Sequence, residues 1–186
     1  MTPIIGVMGS SSDAFEDLAE AVAIEVARVD AHLLTGGGSG VMASVAKFYK
    51  QIKPTGLVIG ILPCVAEGAG EPPVGYPNQW VDIAIQTHLY LSGAQGTSPL
   101  SRNHINILSS TAIVALPGGT GTVSEVCLAY RYRRPVMVFH REGESLSGVP
   151  EQVRQTYKIA VVAAFLNHHA ARSNSAISTP FNRNGP

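Results

Sequence analysis

Cysteine is nearly missing from this 186-residue chain: Cys64 and Cys127 are its only two. Two thiols are too few for a disulfide framework or a zinc site, so no metal is expected and a reducing, cytoplasmic compartment is the default. Charge is scarce too, at 14% of residues against a typical quarter, and the formal net charge is zero. With no run of Lys or Arg, nothing points to a nucleic-acid partner. Charge this sparse, in a chain of positive mean hydropathy, predicts that another copy of the chain covers part of the surface, as a homodimer or homotetramer. No apolar run approaches the length of a membrane span. Met1-Thr2-Pro3 leads straight into an apolar run without a basic stretch, so no signal peptide is expected. The G-x-G-x-x-G fingerprint is absent after the first apolar run, and no acidic residue closes the second, which disfavours a hydride-transfer cofactor.

What the chain does have is glycine in meaningful places. Short apolar runs at Ile4 to Met8, Ala31 to Leu34, Leu57 to Leu62, Val81 to Ile85, Ala112 to Leu116 and Val136 to Phe139 read as strands. Between them lie helical patterns: Phe15 to Val26, Val41 to about Lys50, Arg102 to Ser110 and Val123 to Tyr130, with a last helix from about Pro150 to Ala171. Long loops occupy 63–80 and 87–100. Apolar strands alternating with helices predict a doubly wound parallel sheet covered on both faces, a three-layer α/β/α single domain over 1–172. The Ser/Asn/Pro-rich end, 173–186, reads as a disordered tail.

Glycine-rich turns at 9–12, 35–40 and 117–122 all fall at the carboxyl ends of predicted strands, the edge where this architecture binds ligands. Glycine lets a phosphate approach the main chain, and free N–H groups at a helix start point at it with the positive end of the dipole. The candidate phosphate-binding residues are therefore Gly9, Ser10, Ser11, Gly36, Gly37, Gly38, Ser39, Gly40, Gly118, Gly119, Thr120, Gly121 and Thr122. Glu125 lies one helical turn beyond the last of these turns. A carboxylate would repel a phosphate, so its place suggests a sugar hydroxyl, a ring nitrogen or a bond-breaking step next to the anion. Arg102 opens a helix whose Ile105, Leu108 and Ser109 read as its buried face; the guanidinium then reaches the crevice, to pair with phosphate or to hold Glu125. His88 and His104 fall near the crevice and His168-His169 in the last helix; surface or capping roles suit them best. Cys64 sits at the crevice edge with no base beside it, and Cys127 reads as core.

Pro117-Gly118-Gly119-Thr120-Gly121-Thr122-Val123-Ser124-Glu125 resembles the PGGxGTxxE signature of the Lonely Guy superfamily, formerly labelled lysine decarboxylase-like. Gly9-Ser10-Ser11 and Gly36-Gly37-Gly38-Ser39-Gly40-Val41-Met42 are similar to its other two glycine motifs, in order and position. The resemblance covers about residues 3 to 140 and implies a Rossmann-like fold, at least a dimer, and glycine loops that bind a phosphate. Two branches of the superfamily are similar. One cleaves cytokinin riboside 5′-monophosphates at the N-glycosidic bond with an arginine and the signature glutamate, which here fall on Arg102 and Glu125. The other is the molybdenum cofactor carrier branch, which Arg102-Asn103-His104-Ile105-Asn106-Ile107-Leu108-Ser109-Ser110 and the opening Ile4-Ile5-Gly6-Val7-Met8-Gly9 resemble. On that branch the ligand would be the molybdenum cofactor (molybdopterin), its phosphate on the loops and Arg102 adding charge. A nucleotide-sensing module with neither role is a third reading. Tyr130 and Tyr132, on the Glu125 helix, are expected at a subunit contact.

Overall fold

The computed structural model describes residues 2–175. Seven strands form one fully parallel sheet: β1 (Ile4–Met8), β2 (His32–Thr35), β3 (Val58–Leu62), β4 (Ile83–Gln86), β5 (Ala112–Ala115), β6 (Val136–Phe139) and β7 (Arg154–Thr156). Their order across the sheet is β4-β3-β2-β1-β5-β6-β7. The chain winds outward from β1 in one direction, then crosses back and winds outward from β5 in the other. The order therefore reverses between β1 and β5, which pair in register from Ile5 with Ala112 to Met8 with Ala115. At such a switch point the two outgoing loops diverge and leave a crevice.

Three helices pack on one face: α1 (Glu16–Arg28), α2 (Val41–Ile52) and α5 (Ile159–Ser175). Leu18, Val22 and Val26 of α1, Val45 and Tyr49 of α2, and Val162 and Leu166 of α5 close over Ile5, Val7, Leu33, Val114 and Phe139. The short α3 (Asn103–Ser109) and α4 (Thr120–Arg131) cover the other face, where Ile107 and Leu128 meet Met8, Leu34, Ile61 and Ile113. The strands lack apolar/polar alternation because helices bury both their sides. This is the expected three-layer α/β/α domain.

Four expectations give way here. The sheet is not covered throughout: every residue of β4 is exposed, Ile83 and Ile85 included, so neither face of that strand is covered by a helix. The expected helix from Pro150 instead contains β7, and α5 begins at Ile159. Arg154-Gln155-Thr156 is an edge strand with little apolar content, so it carries no periodic signal. On α3 the buried residues are Asn103, Asn106 and Ile107, while Leu108 and Ser109 are exposed. That helix turns amides inward because it faces charged groups, as described below. Cys127 is only half-buried, on the outer flank of α4, rather than core. As for the expected tail, α5 continues through Ser175, and 176–186 lie outside the described residues.

Candidate ligand-binding site

Two of the glycine turns flank the switch point. The turn after β1 is shaped by Ser10, whose hydroxyl accepts the N–H groups of Ser12 (3.2 Å) and Asp13 (3.0 Å) and donates to the Asp13 carboxylate (3.0 Å). Ser10 is thus spent on the loop itself. The turn after β5 runs into α4, whose N-cap is Gly119. Glycine offers no side chain to satisfy the first turn, and the first helical bond is Val123 N–H to the Gly119 carbonyl (3.1 Å). The N–H groups of Thr120, Gly121 and Thr122 precede that bond and open toward the crevice with the helix dipole behind them. The Ser10 N–H ties the two turns together by donating to the Pro117 carbonyl (3.1 Å).

The third turn, 35–40, joins the same cluster but does another job. Val41 N–H donates to the Ser10 carbonyl (2.9 Å), the Ser39 hydroxyl to the Ser11 carbonyl (2.6 Å), and Gly37 N–H to the Thr35 hydroxyl (3.1 Å). These donors are already committed. Its glycines are needed for close packing instead: a Cβ on Gly36 would run into the Arg102 guanidinium, and one on Gly38 into the Tyr76 ring. Residues 36–40 therefore lie behind the wall of the cavity, as a floor for those two side chains.

The cavity has a volume of about 350 Å³ and is lined by Met8 to Ser12, Met42, Tyr76, Ser92, Gly93, Arg102, Asn103, Gly119 to Thr122 and Glu125. Such a volume suits a small molecule. Of the thirteen glycine-turn candidates, Gly9, Ser10, Ser11, Gly119, Thr120, Gly121 and Thr122 reach it. Gly118 stands just behind, pressed against Thr122 and the Ser10 amide.

Arg102 and Glu125 meet at the base of the cavity, both almost wholly buried. Arg102 Nη1 lies 3.4 Å from Glu125 Oε1 and 3.1 Å from the Asn103 carbonyl oxygen, Oδ1. Asn106 Nδ2 donates to the same Glu125 oxygen (3.2 Å). Burial pushes the Glu125 carboxyl above its ordinary range, against the opposing pull of Arg102 and Asn106. Arg102 Nε and Asn106 Oδ1 are buried with no hydrogen-bond partner. A half-satisfied polar network is costly, so stability does not account for it.

The remaining candidates fall elsewhere. His104 is a clasp: one ring nitrogen meets the Tyr132 hydroxyl (2.7 Å) and the other the Ser98 carbonyl (2.8 Å), fastening the 87–100 loop to α4. The same loop brings Ser92 and Gly93 to the cavity mouth, held by the Ser124 hydroxyl on the Gly93 carbonyl (3.0 Å). His88 and His168 are exposed, and His169 packs against Phe165 on α5. Cys64 is buried, its thiol donating to the Ala69 carbonyl (2.7 Å). Sequence reasoning missed Tyr76, Asn106, Met8 and Met42. Asn106 was within reach, since an asparagine amid Ile105, Ile107 and Leu108 is a polar break in an apolar helix. Among the described residues no group of His, Cys, Asp and Glu has metal-binding geometry, and no helix is long and apolar enough to cross a membrane.

A parallel doubly wound sheet, a glycine-capped helix start at its switch point and a buried Arg–Glu pair behind it define a Rossmann-like domain of the Lonely Guy type. The chain belongs to the SLOG cluster4 family, whose model matches residues 2–166. It is similar to the molybdenum cofactor binding protein of the phototrophic bacterium Rippkaea orientalis, at 31% identity over 90% of this chain and 97% of that one, with a TM-score of 0.71. It is also similar to the molybdenum cofactor carrier protein of Chlamydomonas reinhardtii, at 29% identity over 92% of this chain and 99% of that one, with a TM-score of 0.68. No protein of curated function matches the sequence.

Proposed function

We propose that the protein binds and carries the molybdenum cofactor, its terminal phosphate seated at the start of α4. The observation that carries this reading is the row of uncommitted N–H groups at Thr120 to Thr122, opening into a cavity of small-molecule size. Likeness to two proteins named for the same ligand supports it. The residues fit a pterin-phosphate cargo. The helix start suits the phosphate, and the Arg102 guanidinium and Asn103 amide in the cavity lining suit a donor- and acceptor-rich molecule. No bond need be made or broken; the residues bind the cargo and limit water's access to it.

A second reading is favoured by one specific observation. Glu125 lines the cavity beside Arg102, with its carboxyl pushed upward by burial. Ionised, such a group can stabilise positive charge at a ribose carbon, and its raised proton affinity suits it to orient and deprotonate a water, which is what a nucleoside 5′-monophosphate phosphoribohydrolase requires. One experiment separates the two. Recombinant protein incubated with AMP or isopentenyladenosine monophosphate is expected to release no base, and to slow air oxidation of added molybdenum cofactor saturably. Base release that Glu125→Ala abolishes would replace the carrier reading with the hydrolase.

We further propose a cytoplasmic homo-oligomer in which a second copy covers β4. Ile83 and Ile85 expose about two-fifths of their surface on a strand bare on both faces, an unusual display for an edge strand. The double substitution Ile83→Asp/Ile85→Asp is expected to halve the particle mass in sedimentation without loss of fold. An unchanged mass would move the contact to another face, such as that of Tyr130.

A further inference from the structure

The cavity lining has two chemically different parts, and only one is explained by a phosphate. Its lining brings together the α4 start, Glu125 with Arg102, and Tyr76. Glu125 stands about 7.5 Å along the helix axis from Thr120, at 1.5 Å per residue. The Arg102 guanidinium lies on Gly36 and the Tyr76 ring on Gly38, two residues further on. Tyr76 is the one aromatic side chain among the described lining residues, and Met8 and Met42 line the same cavity. Thioethers pack adaptably against aromatic rings.

Tyr76 is also held in place, although it sits in a long loop. Asn78 donates its N–H to the Gly37 carbonyl (2.7 Å) and its side-chain amide to the Gly38 carbonyl (2.8 Å), and accepts the Trp80 N–H (3.0 Å). Trp80 in turn packs against the core shared by α1, α2 and α5. Tyr76 N–H closes a turn onto Pro73 (3.2 Å). The backbone is therefore fastened on both sides of Tyr76 and the ring lies against Gly38, while its hydroxyl has no hydrogen-bond partner among the described residues. An aromatic ring fixed before binding loses little entropy when a flat ligand stacks on it.

We infer that Tyr76, backed by Gly38 and pinned by Asn78, is the shelf for the planar heteroaromatic ring of a ligand whose phosphate lies at the α4 start. This rests on the phosphate site proposed above and adds what the Tyr76 part of the lining recognises: a fused nitrogen heterocycle, purine or pterin. The Tyr76 hydroxyl offers a ring nitrogen or carbonyl one hydrogen bond. Selectivity between the two ring systems then falls to that hydroxyl and to the Met8 and Met42 packing, while the phosphate half is read without regard to the ring.

Calorimetric titration of the full chain with AMP, 6-hydroxymethylpterin monophosphate and ribose 5-phosphate tests the shelf. Tyr76→Ala is expected to weaken the two ring-bearing ligands by about five- to a hundredfold, the range for loss of one base–aromatic stack. Ribose 5-phosphate should change less than twofold. Tyr76→Phe should keep most of the stacking, and whichever ring it weakens more is the one the hydroxyl reads. Equal losses for all three ligands, or none for the ring-bearing pair, would overturn the shelf and leave the phosphate site standing. If wild-type protein binds none of the three, the phosphate site fails and the shelf with it.

Discussion

Gly119→Asp is expected to weaken any phosphate-bearing ligand by about a hundredfold or more while leaving the fold as stable as before, or slightly more so. Gly119 is the N-cap of α4, extended at φ −91° and ψ −154°, and a Cβ there would meet nothing within 4 Å. Aspartate fits that backbone and is a preferred N-cap, so its carboxylate would take the N–H groups now left open and gain a few tenths of a kcal/mol over glycine. Those same N–H groups are the proposed phosphate seat. Hydrogen bonds to a charged group are worth about 1.5–3 kcal/mol each. Losing two of them to an internal carboxylate, which also repels the anion, accounts for the hundredfold at about 1.4 kcal/mol per factor of ten. Thermal unfolding and ligand titration on one sample check it: melting temperature level or higher, affinity gone. Equal affinity for wild type and variant would place the anion elsewhere.

The second large effect concerns the buried pair. Arg102→Met is expected to destabilise the protein by about 3 kcal/mol at neutral pH, the scale for stripping a buried charge of its partner. The loss should shrink in acid. Burial already raises the Glu125 carboxyl, and Arg102 and Asn106 restrain the rise; without Arg102 it rises further. A carboxyl with a raised folded-state value keeps its stabilising contribution below the ordinary value near 4.5 and loses it as pH climbs through the raised one. The variant's melting temperature should therefore fall more steeply than that of wild type as pH rises from the ordinary carboxylate range toward 8. Arg102→Met/Glu125→Gln should remove the extra slope. Parallel curves for variant and wild type would mean that Arg102 does not hold Glu125.

The parallel doubly wound sheet and the meeting of the three turns were legible because both follow from short-range signals: apolar runs of strand length alternating with helices, and glycines at the strand ends. The division of labour among the turns was not. A glycine that exposes an amide and one that makes room for a neighbouring side chain look identical in sequence, and only packing separates Gly119, open to the cavity, from Gly36 and Gly38, filled by Arg102 and Tyr76. The inward face of α3 was misjudged because helical periodicity assumes an apolar interior, whereas this interior is an ionic site that Asn103 and Asn106 serve. Tyr76 had no signal: loop 63–80 is aperiodic, and its course depends on Asn78 reaching the carbonyls of residues some forty positions earlier. For β7, three residues at a sheet edge leave too little pattern to see.

The most direct test of the account is which backbone amides sense an anion. In amide-resolved NMR of the full chain titrated with inorganic phosphate and then with AMP, shifts should concentrate at Thr120, Gly121 and Thr122, with a smaller one at Ser11. The amides of Gly37 and Val41, already bonded within the fold, should move little. Shifts centred on residues 36–41 with those of 120–122 unmoved would contradict the assignment of the phosphate seat to the α4 start.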